Sequence, residues 1–101
     1  MATMDELIAN VAQWRRDKSL DDPKAQFNKV IEEIGEVAHE LTRERYDTPE
    51  MVDSIGDTLV TVIVLSDILG IAPVDALGAA WDEISHRTGK TVNGTFIKDN
   101  Q

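Results

Sequence analysis

The chain has 101 residues, of which 42% are hydrophobic and 29% are charged, which is typical of a single globular domain with a modest core. Its formal charge of −9 argues against a nucleic-acid partner, because binders of the phosphate backbone normally present a basic face. The absence of cysteine excludes disulfides, thiolate nucleophiles and zinc–cysteine clusters.

The N-terminus and the most apolar region argue against export and membrane insertion. MATMDEL lacks the basic and then apolar pattern of a signal peptide. The apolar region from Leu59 to Ala72 is interrupted by Ser66 and Asp67 and is too short to span a bilayer. We therefore expect a cytoplasmic protein with no membrane partner.

Start and stop signals predict four helices, at about 4–18, 23–45, 49–69 and 73–87. Thr3 and Glu6 form a capping-box pattern before the first helix. Each of the other three helices begins at a proline, which is favoured at the first helical position. Short connections between helices predict an all-α fold, an antiparallel four-helix bundle that forms one domain over residues 1–101.

The third helix is the ambiguous element. Its segment LVTVIVL is also compatible with a buried strand, but the uninterrupted length from Pro49 to Leu69 favours a helix that is buried on nearly all sides. A helix this apolar needs a partner subunit to cover it in so small a domain. We therefore predict a homo-oligomer, either a dimer or a dimer of dimers.

A short tail, residues 89–101, follows the last helix. Asn93-Gly94 lies between two short segments rich in β-branched and aromatic residues, which is a strong signal for a β-hairpin. Two strands alone are marginally stable in water. We expect the hairpin to pack on the bundle or on a neighbouring subunit.

The acidic residues of the second and third helices have matching spacings. On each helix three carboxylates follow the pattern i, i+3, i+7, which keeps them within about 60° of one another. They are Glu33, Glu36 and Glu40 on the second helix, and Glu50, Asp53 and Asp57 on the third. Gly35 and Gly56 recur at equivalent places, and we expect them to let the two backbones approach closely.

Carboxylates that converge in such a seam would repel one another unless a cation neutralised them. Mg²⁺ accepts oxygen ligands and commonly lies between a few carboxylates and substrate phosphates. The pattern therefore favours a divalent metal site. The alternative is that both acidic stripes are solvated faces of a structural bundle that binds no metal.

The same residues carry a family resemblance. Glu33-Ile34-Gly35-Glu36 matches an ExxE motif and Asp57 matches the aspartate of a following ExxD motif. Over roughly residues 23–88 the chain resembles the MazG-like all-α nucleotide pyrophosphohydrolases, particularly the small single-domain forms of phages and bacteria. The resemblance implies hydrolysis of a nucleoside triphosphate to the monophosphate and pyrophosphate with Mg²⁺, for which Mn²⁺ can substitute.

The resemblance also implies roles for individual acidic residues. Glu33, Glu36 and Asp57 correspond to metal ligands of the family. Glu32, which precedes the ExxE motif, corresponds to the residue that in some members accepts a proton from the attacking water. These four residues are the predicted catalytic and metal-binding set.

One residue departs from the family pattern. Three residues before Asp57 the family has a glutamate, whereas this chain has Ser54. Asp53, one turn from Asp57 on the same stripe, is the predicted substitute ligand. The departure leaves the number of metals open, and it leaves the alternative of a catalytically silent bundle that binds nucleotides or a partner protein.

Basic and amide residues are the candidates for phosphate binding. Arg87, Lys90 and Asn93 follow the fourth helix, where members of the family often use such residues. Lys29 lies on the acidic stripe and is a further candidate. Its alternative role is an ion pair with Glu33 or Glu32.

Trp14 is the candidate for stacking on the nucleotide base. It follows Leu7 and Val11 at core spacing, so the alternative is that its indole packs in the core. No segment of the sequence identifies the base or the sugar of the substrate.

Overall fold

The computed structural model describes residues 1–99, and the last two residues of the predicted tail, 100 and 101, lie outside the described part. Within residues 1–99 the chain forms, in order, α1 (Met4–Asp17), α2 (Pro23–Leu41), α3 (Pro49–Ile68), α4 (Pro73–Ile84), β1 (Gly89–Val92) and β2 (Thr95–Lys98). The predicted all-α fold of four helices with a C-terminal hairpin is confirmed.

Side-chain caps define three of the four helix starts. Thr3 Oγ1 accepts a hydrogen bond from the Glu6 N–H, and the Glu6 carboxylate accepts one from the Thr3 N–H, which completes a capping box. Asp22 and Thr48 accept hydrogen bonds from backbone N–H groups in the first turns of α2 and α3. Ala72 has no polar side chain, so α4 starts at its proline without a side-chain cap.

Two helices end earlier than predicted. The end of α2 is Leu41, not residue 45, because the backbone N–H and the hydroxyl of Thr42 both donate to the carbonyl of His39 and tighten the last turn. The end of α4 is Ile84, not residue 87, because the chain beyond it turns through bonds between residues three apart. The ends of α1 and α3 differ from prediction by one residue.

The core lies where α1, α2 and α3 meet. The main packing is between α2 and α3, and α1 packs on α3. Each of the three helices contributes one buried apolar side chain, namely Ala12, Val30 and Val64, of which Val64 is only 1% exposed. The centre of the bundle is therefore small for a chain of this length.

The segment that is compatible with a strand is helical, as the length argument predicts. The surroundings of α3 differ from the prediction of burial on nearly all sides. Thr61 and Val64 face the core, while Val52 and Leu59 are exposed. Within one chain, α3 is therefore covered on one side only.

The C-terminal third of the chain stands away from this core. Every residue of α4 after Pro73 is exposed, and so are all residues of β1 and β2, so the hairpin does not pack on the bundle of its own chain. Asn93 and Gly94 have φ angles of 50° and 80°, the positive values that a two-residue hairpin turn of this kind requires.

The helix lengths and their hydropathy bear on membrane insertion. Among the helices of residues 1–99, none is by itself long and apolar enough to cross a membrane. Only α3 and α4 taken together have the length and composition of a span, and they are bent by 103° at the break between them.

Candidate functional site

A cavity of about 760 Å³ opens between the α1–α2 connection, α2 and α3. Its wall on the core side includes Val60 and Val64. We call the part lined by Lys29, Glu33 and Asp57 the acidic end of the cavity. The volume lies in the range of small-molecule and cofactor sites in proteins.

The acidic end combines carboxylates from two helices. Glu33 comes from α2 and its side chain is only 14% exposed, while Asp57 comes from α3 and is exposed. Both line the same cavity, so the packing of α2 on α3 places these two predicted ligands in the lining of one cavity. Carboxylate oxygens are hard donors, and their chemistry fits a hard divalent cation such as Mg²⁺ or Mn²⁺.

Lys29 neutralises part of this acidic charge. Its Nζ lies 3.4 Å from Glu32 Oε1 and 3.6 Å from Glu33 Oε1. The hydrogen bond to Glu32, followed by the charges of the two glutamates, raises the pKa of Lys29 above its ordinary value of 10.5. Of the two roles open to Lys29 on sequence grounds, the ion pair with both glutamates is present in the structure.

The other predicted metal and catalytic residues lie outside the cavity lining. Glu32, Glu36 and Asp53 are exposed and do not line the cavity. Within residues 1–99, no three His, Asp or Glu side chains are grouped closely enough to hold a metal by themselves. The roles of these residues therefore remain predictions.

The expected effect of the two helical glycines is wrong for the single chain. A side-chain carbon added at Gly35 or at Gly56 would meet no atom within 4 Å, so neither glycine is needed for a close approach of the backbones.

Ser54, which stands at the position of the family glutamate, is buried, whereas its predicted substitute Asp53 is exposed.

Trp14 lines the cavity with 47% of its surface exposed, so its indole is not a core residue of the chain.

The residues after α4 that are predicted to contact phosphate lie outside this cavity. Arg87 forms an ion pair with Glu83 at 2.8 Å, and Lys90 and Asn93 belong to the exposed hairpin. Arg87, Lys90 and Asn93 do not line the cavity of their own chain.

Apart from Trp14, sequence reasoning missed the residues at the end of the cavity that lies beside the α1–α2 connection. We call this the loop end; it is lined by Trp14, Ser19, Asp21, Asp22 and Gln26. Gln26 is only 8% exposed, and its Nε2 donates to the carbonyl oxygen of Thr61 at 3.1 Å. The available signal was its position one turn before Val30, where an amide interrupts the apolar face of α2.

Two comparisons of the sequence with known proteins give matches. The family model of the MazG nucleotide pyrophosphohydrolase domain matches residues 21–91. An uncharacterised 18.2 kDa protein from the rep-hol intergenic region of Haemophilus phage HP1 (strain HP1c1) is 36% identical over 69 residues. That alignment covers 65% of this chain and 41% of the phage protein, so the chain spans less than half of the relative's length.

A solved structure matches nearly the whole chain. It is the MazG-like pyrophosphohydrolase of cyanophage S-2L, bound to dGDP and three catalytic Mn²⁺ ions per active site. The match covers 99% of this chain and 100% of the cyanophage chain, with a TM-score of 0.70 and 24% sequence identity. At that identity the likeness shows the fold, whereas the family model covers well over half of the sequence. The chain therefore belongs to the MazG nucleotide pyrophosphohydrolase domain family.

Proposed function

We propose that this chain hydrolyses a nucleoside triphosphate to the nucleoside monophosphate and pyrophosphate, with a divalent cation as cofactor. The observation that carries the proposal is that Glu33 and Asp57, which match the family motifs on different helices, line one cavity of suitable volume. The cyanophage protein of the same fold binds a nucleotide and Mn²⁺, which supports this class of substrate and cofactor.

The metal ligands that we propose are Glu33, Glu36 and Asp57, with Asp53 in place of the missing family glutamate. Mg²⁺ retains several waters and is commonly held by only one or two carboxylates together with substrate phosphates. A site of this kind needs the nucleotide for completion, so the chain alone need not group three carboxylates. A bound cation would neutralise phosphate charge and lower the pKa of a coordinated water.

The chain's own groups would position the reactants and accept the proton. Glu32 is exposed at the edge of the acidic end and is held by Lys29, which keeps a carboxylate near the proposed position of the attacking water. Lys29 is protonated at neutral pH and offers a positive charge at the cavity wall. Positioning and electrostatic stabilisation supply most of the catalysis in phosphoryl transfer, so a nucleophilic side chain is not required.

The proposal is tested by measuring pyrophosphate release from nucleoside triphosphates with Mg²⁺ or Mn²⁺. We expect Glu36→Gln to lower kcat/KM by at least about 100-fold, because it removes a charge that stabilises the metal and the transition state. Glu44→Gln, in the exposed α2–α3 connection, is the matched control and should behave like the wild type. Circular dichroism checks that both variants keep their helical content. Wild-type turnover by Glu36→Gln would contradict the metal assignment.

We further propose that the active form is a homo-oligomer. The chain exposes 7935 Å², whereas a folded monomer of 11.2 kDa is expected to expose about 5,700 Å². Its radius of gyration is 16.1 Å, against about 13 Å for a compact domain of this length. A dimer that buried this excess of about 2,200 Å² on each chain would bury about 4,400 Å² in total, which falls in the range of permanent subunit interfaces.

Assembly would also bring more positive charge to the substrate. Lys29 is the one lysine or arginine among the residues that line the cavity, and it is already paired with two glutamates. We propose that Arg87, Lys90 and Asn93 contact the phosphates of a nucleotide held by a neighbouring copy of the chain, since they stand away from their own cavity.

A further inference from the structure

The loop end of the cavity contains a buried amide with a fixed orientation. The carbonyl oxygen of Thr61 can only accept a hydrogen bond, so the side chain of Gln26 must turn its NH₂ group towards it. The Oε1 atom of Gln26 therefore points the other way. Within residues 1–99 this oxygen has no hydrogen-bond partner, yet it is not among atoms cut off from solvent, so it opens onto the cavity that Gln26 lines.

The neighbouring groups at the loop end are also acceptors. Asp22 uses Oδ1 to cap α2, and Asp21 uses Oδ1 to accept from Arg15 at 3.0 Å. Their Oδ2 atoms have no partner within residues 1–99. The loop end thus presents an amide oxygen and two carboxylates, and Arg15, which pairs with Asp21, is also held by Asp67 at 2.7 Å.

A nucleotide would lie along the cavity in one direction. Its phosphates belong at the acidic end, where the proposed cation is held, because the loop end has carboxylates with no cation left to balance a phosphate. Gln26 and Glu33 are seven residues apart on α2, which separates them by about 10 Å along the helix axis and leaves room for the sugar between them. The base then meets Gln26 and the half-exposed indole of Trp14, which offers a stacking surface.

This inference rests on the proposed hydrolase function. We propose that the loop end selects the base by its hydrogen-bond donors, and that guanine is the preferred base. Guanine presents two adjacent donors, N1–H and the 2-amino group, which match a site built from acceptors. Uracil and thymine present a single donor, N3–H, flanked by two carbonyl oxygens, so where guanine offers its 2-amino group these bases would turn an oxygen towards an acceptor of the loop end. A buried acceptor left without a donor is costly, so the site disfavours those bases.

The test compares kcat/KM for pyrophosphate release from dGTP and from dITP, which differs only in lacking the 2-amino group. We expect dGTP to be favoured by about 10- to 100-fold, the discrimination typical of a paired donor edge. We expect dUTP and dTTP to be poorer substrates than dGTP by at least the same factor. Equal values for dGTP and dITP, or a preference for dUTP or dTTP, would overturn the inference.

Two variants assign the selectivity to the loop end. Gln26→Met keeps the length of the side chain and removes the acceptor, so the ratio of dGTP to dITP should fall towards one. Gln13→Met makes the same change on the exposed surface of α1, away from the cavity, and should keep the wild-type ratio. Asp21→Asn, at an exposed position, is a second variant that should lower the ratio even if Gln26→Met fails to fold.

Failure of this inference differs from failure of the proposed function. If all triphosphates release pyrophosphate at equal rates, the hydrolase proposal stands and the base selectivity is wrong. If no triphosphate is hydrolysed, the hydrolase proposal is wrong. The base selectivity is then tested separately, by calorimetric titration of the protein with dGTP and with dITP in the presence of Ca²⁺. Tighter binding of dGTP would support it, and equal binding would overturn it.

Discussion

Lys29 sets the charge of the acidic end before any cation binds. Its ammonium group forms ion pairs with Glu32 and Glu33, and it is the hydrogen bond to Glu32 that contributes most to its raised pKa. A divalent cation that binds Glu33 must therefore share this carboxylate with Lys29 or displace it. At the proposed metal site, Lys29 would thus oppose binding of the metal alone, while its charge would favour the proposed triphosphate substrate.

We predict that Lys29→Met binds Mn²⁺ at a lower concentration than the wild type in the absence of nucleotide, and that it has a higher KM for the triphosphate. Titration of thermal stability with Mn²⁺ measures the first effect, because a ligand of the folded state raises the melting temperature. Lys24→Met, in the exposed first turn of α2, is the control. Weaker Mn²⁺ binding by Lys29→Met would show that the lysine does not compete with the metal.

The stability of Lys29→Met relative to the wild type is also predicted to depend on pH. The pKa of Lys29 in the folded chain is raised above 10.5, so its ion pairs stabilise the fold fully below pH 10.5 and this contribution is lost as pH rises through the raised value. The difference in melting temperature between the wild type and Lys29→Met should therefore stay constant around neutral pH and shrink in strongly alkaline buffer.

At the level of single residues, the sequence singles out some residues of the cavity lining and not others, for a physical reason. Glu33 and Asp57 stand out because acids repeat at helical spacing and match a family motif, and both line the cavity. Gln26 does not stand out, because its importance depends on a contact with the carbonyl of Thr61, thirty-five residues away in sequence. The spacing of Gly35 and Gly56 indicates a face of each helix but says nothing about the distance between the helices.

At the level of elements, local signals predict where helices begin better than where they end. Each start has a cap or a proline within one residue, and these act through neighbouring N–H groups. The end of α2 depends on Thr42, whose hydroxyl donates a hydrogen bond to the carbonyl oxygen of His39. This bond competes with the helical hydrogen bonds of the last turn, and the polar sequence that follows does not reveal it.

One contact between helices, that of α1 with α3, is made by charged side chains. Asp67 on α3 accepts hydrogen bonds from Arg15 Nε at 2.7 Å and from Arg16 Nη2 at 3.1 Å, which ties α1 to α3. The Arg15 and Asp67 side chains are 15% and 20% exposed, so solvent screens this pair less than a surface pair. Arg15 also holds Asp21, which links this contact to the loop end of the cavity.

We predict that Asp67→Asn lowers the free energy of unfolding by about 1–3 kcal/mol, because hydrogen bonds between charged groups are lost and two guanidinium groups keep no counter-charge from α3. Denaturant unfolding at one fixed protein concentration measures the change. Asp75→Asn, in the exposed first turn of α4, should change stability much less. Equal effects of the two substitutions would show that the contact between α1 and α3 does not depend on Asp67.

At the scale of the whole molecule, the sequence predicts the number and order of the helices, while the single chain leaves much of their apolar surface uncovered. The stripe on α4 formed by Val74, Leu77, Trp81 and Ile84 is an example, since Leu77 and Trp81 are 71% and 61% exposed. Apolar periodicity predicts that such a face is covered, but it does not distinguish the same chain from a second copy. The surface excess of the chain favours a second copy.

Leu77→Asp places a charge in the α4 stripe, which should prevent association because an unpaired charge in an interface is costly. We expect light scattering after gel filtration to give a multiple of 11.2 kDa for the wild type and a lower multiple for the variant. Ala79→Asp introduces the same charge on the opposite side of α4 and should keep the wild-type mass. Pyrophosphate release should fall in Leu77→Asp, because Arg87 and Lys90 would no longer reach a neighbouring cavity. A wild-type protein with the mass of one chain would contradict both the assembly and this source of phosphate contacts.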